Sequence, residues 1–262
     1  MRLLLIPALF FFSIVSFAQS YSVLHVVGRI YDTRSGSYLS TGSKLDATAK
    51  LRFDSPGAKA ALLSPEKGRF ILQQTGGSGD KNDLFYTLAG LISPVKGRLS
   101  TRAGAISSDW ELKEYFNRGA VAWIGEVYVV FASTKSFGND KEHYFYASYV
   151  HRQERINKKL TYRNDSLLFV RSSYFSVDGH PVDPAETSGH VLIHVDEKTG
   201  NIVESNISSF VLVSDEVIAI LSEGLSDFKG QAHIDALTEL VSDLYGQVSD
   251  VQVSAALNRL KK

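Results

Sequence analysis

Residues 191–213 read VLIHVDEKTGNIVESNISSFVLV. Val191 to Val195 is an apolar, largely β-branched run, Glu197-Lys198-Thr199-Gly200 is a turn, and Asn206 to Val213 is a second strand-like run. β-Branched side chains are stiff at χ1 and pack well on a pleated surface, so this stretch predicts strand, turn, strand. The pattern repeats upstream. Tyr144 to Val150 alternates aromatics, Lys158 to Tyr162 continues it, Asn164-Asp165 turns the chain, and Ser166 to Arg171 is a further strand. Val177-Asp178-Gly179 is a tight turn signal before the loop Pro181-Val182-Asp183-Pro184. Short strands at roughly 8–12-residue spacing imply a sandwich or barrel-like sheet over 143–213.

The N-terminal half reads the same way. Tyr21 to Tyr31 and Ala49 to Phe53 are strands, and Ala58 to Ser64 with Gly68 to Gln73 forms a hairpin around Pro65. Residues 74–82 are rich in Gly, Ser and polar side chains, as in a loop or linker. Ser107 to Asn117 is the first helix, capped by Ser108 or Asp109, with Trp110, Leu112, Tyr115 and Phe116 as its apolar side. Ala120 to Ala132 is a buried strand pair broken at Gly125-Glu126.

After residue 213 the period changes. Ser214 caps a helix with Val217, Ile218, Leu221, Leu225 and Phe228 on one face. A second pattern starts near Ala232, with Ile234, Leu237, Val241, Leu244, Val248 and Val251 in 3-4 alternation. Gly246 inside it allows one helix or two. This stripe either packs on the sheets or serves docking and self-association through 234–251. The expected organisation is therefore mainly β, with an N-terminal region at 19–133, a second β-rich region at 143–213 and helices at 214–262.

The first 18 residues carry an address. Arg2 precedes an uncharged run from Leu3 to Phe17, and Ser16-Phe17-Ala18 supplies small residues before a cut at Gln19. About 15 residues span only about 22 Å as a helix, short of the roughly 30 Å hydrocarbon core, so a cleaved signal peptide is expected rather than an anchor. The expected location is periplasmic or extracellular, with no transmembrane segment after cleavage.

Among 262 residues there is no cysteine, which removes disulfide scaffolds, thiolate metal sites and cysteine nucleophiles. The 28 basic side chains balance 28 acidic ones, which argues against a nucleic-acid partner. No phosphate-cradling loop and no G-x-S-x-G elbow occurs.

Local constellations remain. His190 and His194 have H-x-x-x-H spacing, but on a strand their Cα atoms lie about 13 Å apart, too far to share one metal. Asp196 lies near that histidine pair, and Asp178, His180, Asp183 and Glu186 gather carboxylates and an imidazole in one loop. Arg152, Arg155, Lys158, Lys159 and Arg163 form a basic stretch suited to an anionic partner, or a charged β-edge. Leu63-Ser64-Pro65-Glu66-Lys67-Gly68-Arg69-Phe70 is echoed by Ile92-Ser93-Pro94-Val95-Lys96-Gly97-Arg98-Leu99. The echo is either two basic tips, Lys67/Arg69 and Lys96/Arg98, or shared turn chemistry. No catalytic residue, metal site or cofactor is assigned.

Val26-Val27-Gly28-Arg29-Ile30, then Leu39-x-x-Gly42-x-x-Leu45, then Ala49 to Leu63, resembles the start of FecR-type periplasmic domains. The resemblance covers about 40 residues and implies a small β-rich sensor region. The whole chain also resembles exported Bacteroidota proteins, which implies no activity. Three functions follow as expectations: a non-enzymatic envelope protein that binds a partner or supports a surface or secretion assembly, a secreted hydrolase using the Asp/His region at 178–196, or a periplasmic sensor module.

Overall fold

The computed structural model describes residues 20–64, 68–74, 86–87, 92–94, 105–132, 137, 141–163 and 165–261. The signal-like stretch, the 75–82 part of the polar loop, and Lys67, Lys96 and Arg98 lie outside these residues. In chain order the elements are β1 (Ser20–Val27), β2 (Ile30–Asp32), β3 (Ser37–Tyr38), β4 (Lys44–Asp46), β5 (Lys50–Phe53), β6 (Lys59–Ser64), β7 (Gly68–Gln73), β8 (Tyr86–Thr87) and β9 (Ile92–Pro94). Then come α1 (Asp109–Asn117), β10 (Val121–Trp123), β11 (Glu126–Val130), β12 (His143–His151), β13 (Glu154–Lys159), β14 (Thr161–Arg163) and β15 (Ser166–Val170). The remainder is a single turn α2 (Arg171–Tyr174), β16 (Ser176–Val177), β17 (His180–Pro181), β18 (Thr187–Asp196), β19 (Asn201–Asn206), β20 (Phe210–Leu212), α3 (Asp215–Glu223), α4 (Gly230–Tyr245) and α5 (Asp250–Leu260). The chain is mainly β with helices at its C-terminus. The described strands form open sheets, and none closes into a barrel.

Alternation explains the N-terminal half. Sheets β4-β1-β6-β7-β9 and β3-β2-β5-β8 bury Tyr21, Val23, Ile30, Leu51, Leu62 and Leu72 in one core. Alternate residues of a strand point to opposite faces, so Tyr31 and Arg52 are turned outward by the burial of Ile30 and Leu51.

The second core is aromatic. Phe116, Trp123, Phe131, Phe145, Tyr149 and Phe169 pack together, with ring pairs such as Trp123–Phe169 edge-on at 6.2 Å. Ile106, Leu112, Val121, Val127 and Val129 also belong to this core, whereas Ala122 and Ile124 face the C-terminal helices. β11 lies antiparallel on β15 and β10 runs parallel to β20, and the two strands on either side of Gly125 do not pair with each other.

The hairpin of the opening stretch has a different second strand from the one expected. β18 pairs with Asn201–Asn206, His194 opposite Val203, and Phe210–Leu212 leaves to join β10. A four-residue turn closes an antiparallel pair only if the strand resumes at once, which the polar run at 201–206 does.

Serine caps set the helix starts. Ser108, Ser214 and Ser249 accept from the backbone N–H of Glu111, Val217 and Gln252. Leu112 and Phe116 of α1 are buried as expected, whereas Trp110 stands 68% exposed. Gly246 divides the C-terminal pattern into two helices. Leu237, Val241, Leu244 and Val248 are buried with Ala61, Ile71, Ala122 and Ile124 of this same chain. Lys59 Nζ donates to the Asp243 carbonyl at 2.8 Å, and Tyr245 Oη meets His25 Nε2 at 2.5 Å. Of the two readings of this stripe, packing on the sheets describes Leu237, Val241, Leu244 and Val248, while Val251 at its end is exposed.

Candidate functional site

Two hairpin tips build the site. The β12–β13 hairpin turns through Arg152 and Gln153, at φ 48° and 70°. Both lie in the left-handed region that favours glycine. The β16–β17 hairpin turns through Asp178 and Gly179, at φ 49° and 80°, the two-residue turn that Asp-Gly signals. This second hairpin stands as a fin with a cleft on each side. One cleft, of ≈ 640 Å³, is lined by His151, Arg152, Glu154, Asp178, His180 and Glu186. The other, of ≈ 650 Å³, is lined mainly by apolar groups of Val170, Phe175, Pro181, Val182 and Pro184, with Glu126 and Arg171 also in its wall. Pro181 and Val182 belong to both walls.

The first cleft is charged. Arg152 Nη2 lies 3.8 Å from Glu186 Oε2, and His151 Nδ1 lies 3.4 Å from the Glu186 carbonyl. Asp183 Oδ1 accepts from Ala185 N at 2.9 Å and caps the 3-10 turn Pro184–Glu186. Glu154, Asp178, Asp183 and Glu186 face Arg152 as the one permanently charged cation among the lining residues, so the cleft leans acidic. The Arg152–Glu186 pair is exposed, and such pairs contribute only about 0–1 kcal/mol. Its side chains are therefore open to exchange for a ligand's.

No protein family, curated protein or solved structure matches this chain.

The basic stretch is not one patch. β13 is an edge strand, and its alternation sends Arg155 and Lys159 to one face and Lys158 to the other. Lys158 Nζ donates to the Ser176 carbonyl, Arg155 Nη1 donates to Ser148 Oγ at 3.2 Å, and Arg163 sits in the separate sheet β11-β15-β14. Charge on an edge strand discourages edge-to-edge pairing. Only Arg152 reaches the cleft. Arg69 is no free tip either. Its guanidinium lies 4.7 Å from the Phe228 ring centroid, its Nη1 donates to the Ala236 carbonyl at 3.5 Å, and burial lowers its pKa.

The two histidines of β18 have separate partners. His190 meets Tyr174 Oη at 3.0 Å and Thr187 Oγ1 at 3.1 Å, through opposite ring nitrogens. His194 Nδ1 meets Asp109 Oδ1 at 3.0 Å, its ring stacks on Phe145 at 4.5 Å, and its Nε2 is buried without a partner. Asp109, 85 positions away in sequence, carries no local signal for this pairing. Among the described residues no group of three His, Asp or Glu is gathered to hold a metal. The Asp/His region thus divides into an outward half at 178–186 and an inward half at His190 and His194.

Burial pushes the His190 pKa down from 6.5 to about 4. The unfolded imidazole takes its proton near pH 6.5 and the folded one only near pH 4, so between them the unfolded state binds more protons. Stability is full above pH 6.5 and falls as pH drops toward 4. His25 is shifted in the same direction by burial. Thermal unfolding of wild type and His190→Gln across this range should show a shallower pH slope in the variant. Equal slopes would remove His190 from the account.

Proposed function

We propose that this protein is an exported, non-enzymatic envelope component that binds an extended segment of a partner protein across the fin at 176–181. The observation that supports the reading is the pair of clefts sharing the Pro181–Val182 wall, one acidic and one apolar. An extended segment lays successive side chains on opposite sides, so a strand crossing the fin would seat a basic residue in one cleft and an apolar residue in the other. Rigid hairpin tips lower the ordering cost of such binding. Export rests on the signal-like residues 1–18, and among the described residues no helix is long and apolar enough to cross a membrane.

Backbone amide NMR tests the site with two synthetic peptides, one alternating Lys and Leu, the other with Glu for Lys. The Lys peptide should shift amides of 151–156 and 176–186, and Val182→Trp, which fills the shared wall, should abolish the shifts. Equal effects of both peptides, or shifts elsewhere, would overturn the reading. Mass spectrometry of the exported chain should find Gln19 as its first residue.

A further inference from the structure

The outward face of the β3-β2-β5 sheet carries a ladder of tyrosines and arginines. Tyr38, Tyr31 and Arg52 are direct cross-strand neighbours. Tyr31 and Tyr38 meet edge to face at 5.2 Å. The Arg52 guanidinium lies 4.5 Å from the Tyr31 centroid, and the Arg29 guanidinium lies 4.2 Å from the Tyr38 centroid. Asp54 fixes the ladder. It accepts two bonds from Arg52, at 2.6 and 3.0 Å, and one from Tyr38 Oη at 2.8 Å. These bonds hold its carboxyl down at about 2.

Arg29 differs from Arg52. Among the described residues its guanidinium makes the ring contact and no close ion pair, with its charge acting on the nearby Asp54 carboxyl, while its backbone is pinned on both sides. Its N–H donates to Ser55 Oγ at 3.2 Å, and its carbonyl accepts from Asp54 N at 2.9 Å. Gly28 before it sits at φ +76° so close to Ala58 that an added Cβ would lie 3.0 Å from the Ala58 Cβ. A planar fork stacked on a ring and held by a rigid backbone is pre-organised for an anion. Lys50 shares this face, so among the described residues Arg29, Lys50 and Arg52 stand with the Asp54 carboxylate.

We infer that this face binds a carboxylate-bearing glycan chain, with Arg29 taking the acid group and the Tyr31–Tyr38 ladder supplying aromatic surface to the sugar rings. The face is flat and polar, with Tyr38 40% exposed. Its edge strand β3 is only two residues long, too short to pair an acidic peptide along its backbone. The surface is separate from the fin clefts and does not depend on their reading.

Titration of the full chain with polygalacturonate, neutral dextran and polyglutamate tests the inference. Polygalacturonate should bind with salt-sensitive affinity, and the other two should not. Arg29→Gln should weaken binding about tenfold, the scale of one charge-assisted contact, with an unchanged thermal midpoint. Arg34→Gln removes a cation whose partner is Asp46 and should leave binding unchanged. Equal binding of polyglutamate, no binding of polygalacturonate, or full affinity in Arg29→Gln would each overturn it.

Discussion

Gly246→Ala should destabilise this protein more than any other single-methyl change. The residue sits at φ +107°, where an L side chain is strained. An added Cβ would lie 2.1 Å from the Ala120 oxygen and 2.7 Å from its carbonyl carbon, so backbone must move. That backbone is a joint. Gln247 N donates to Ala120 O and Ala122 N donates to Gln247 O, both at 2.8 Å. Next to it Gln252, fully buried, donates to the Ala122 carbonyl at 3.1 Å. β10 is thus bonded to β20 on one edge and to the α4–α5 connection on the other. Conformational strain of about 1–3 kcal/mol and overpacking of about 1–3 kcal/mol act together, against a total stability of roughly 5–15 kcal/mol. Gly200→Ala is the control. It has φ +73° and open space around it, so it should cost only about 1 kcal/mol. Urea unfolding of both variants separates the clash from the dihedral cost. A Gly246→Ala loss no larger than that of Gly200→Ala would show that the Ala120 contact is not held in solution.

Trp123→Ala should cost about 3–5 kcal/mol, the scale for truncating a buried aromatic. Trp123 is 2% exposed and packs against Phe169, Tyr174, Phe175 and Phe210 at centroid distances of 6.2, 5.6, 5.3 and 4.8 Å. Its Nε1 donates to the Gly125 carbonyl at 2.7 Å, holding the bend between β10 and β11. The cavity would adjoin Phe175, which lines the apolar cleft, so the variant should also lose binding there. The chain has two tryptophans, and the other, Trp110, is 68% exposed. Fluorescence therefore distinguishes them: the variant should emit at long wavelength alone, while Trp110→Phe should keep the blue-shifted emission and nearly full stability. A midpoint unchanged in Trp123→Ala would mean that the aromatic core tolerates its central ring being absent.

Strand content was legible because period-2 burial leaves its trace in neighbouring residues. Val191 to Val195, the hairpin flanking Pro65, and the helix from Asp109 to Asn117 lie where local pattern places them. Partner choice left no such trace. Nothing in Val121 to Val130 tells that its halves join different sheets, or that Asn201–Asn206 and not 206–213 completes the hairpin of β18. The charged residues show the same division. Arg152 and Glu186 are 34 positions apart and meet only because two hairpin tips converge. Arg155, Lys158 and Lys159, adjacent in sequence, are sent to opposite faces by strand alternation. The Arg29–Tyr38–Tyr31–Arg52 ladder escaped the linear reading because its members come from separate strands.

By itself the sequence determined what each segment can be: strand or helix, capped or turned, with no thiol chemistry anywhere in its 262 residues. Those properties follow from dihedral preference and hydrophobic period, which act over a few neighbouring residues. Tertiary structure alone decided which strands pair, which apolar stripe is covered from within, and which charges share a cleft. These depend on contacts between residues far apart in the chain, whose free energy exists only once the loops between them have closed.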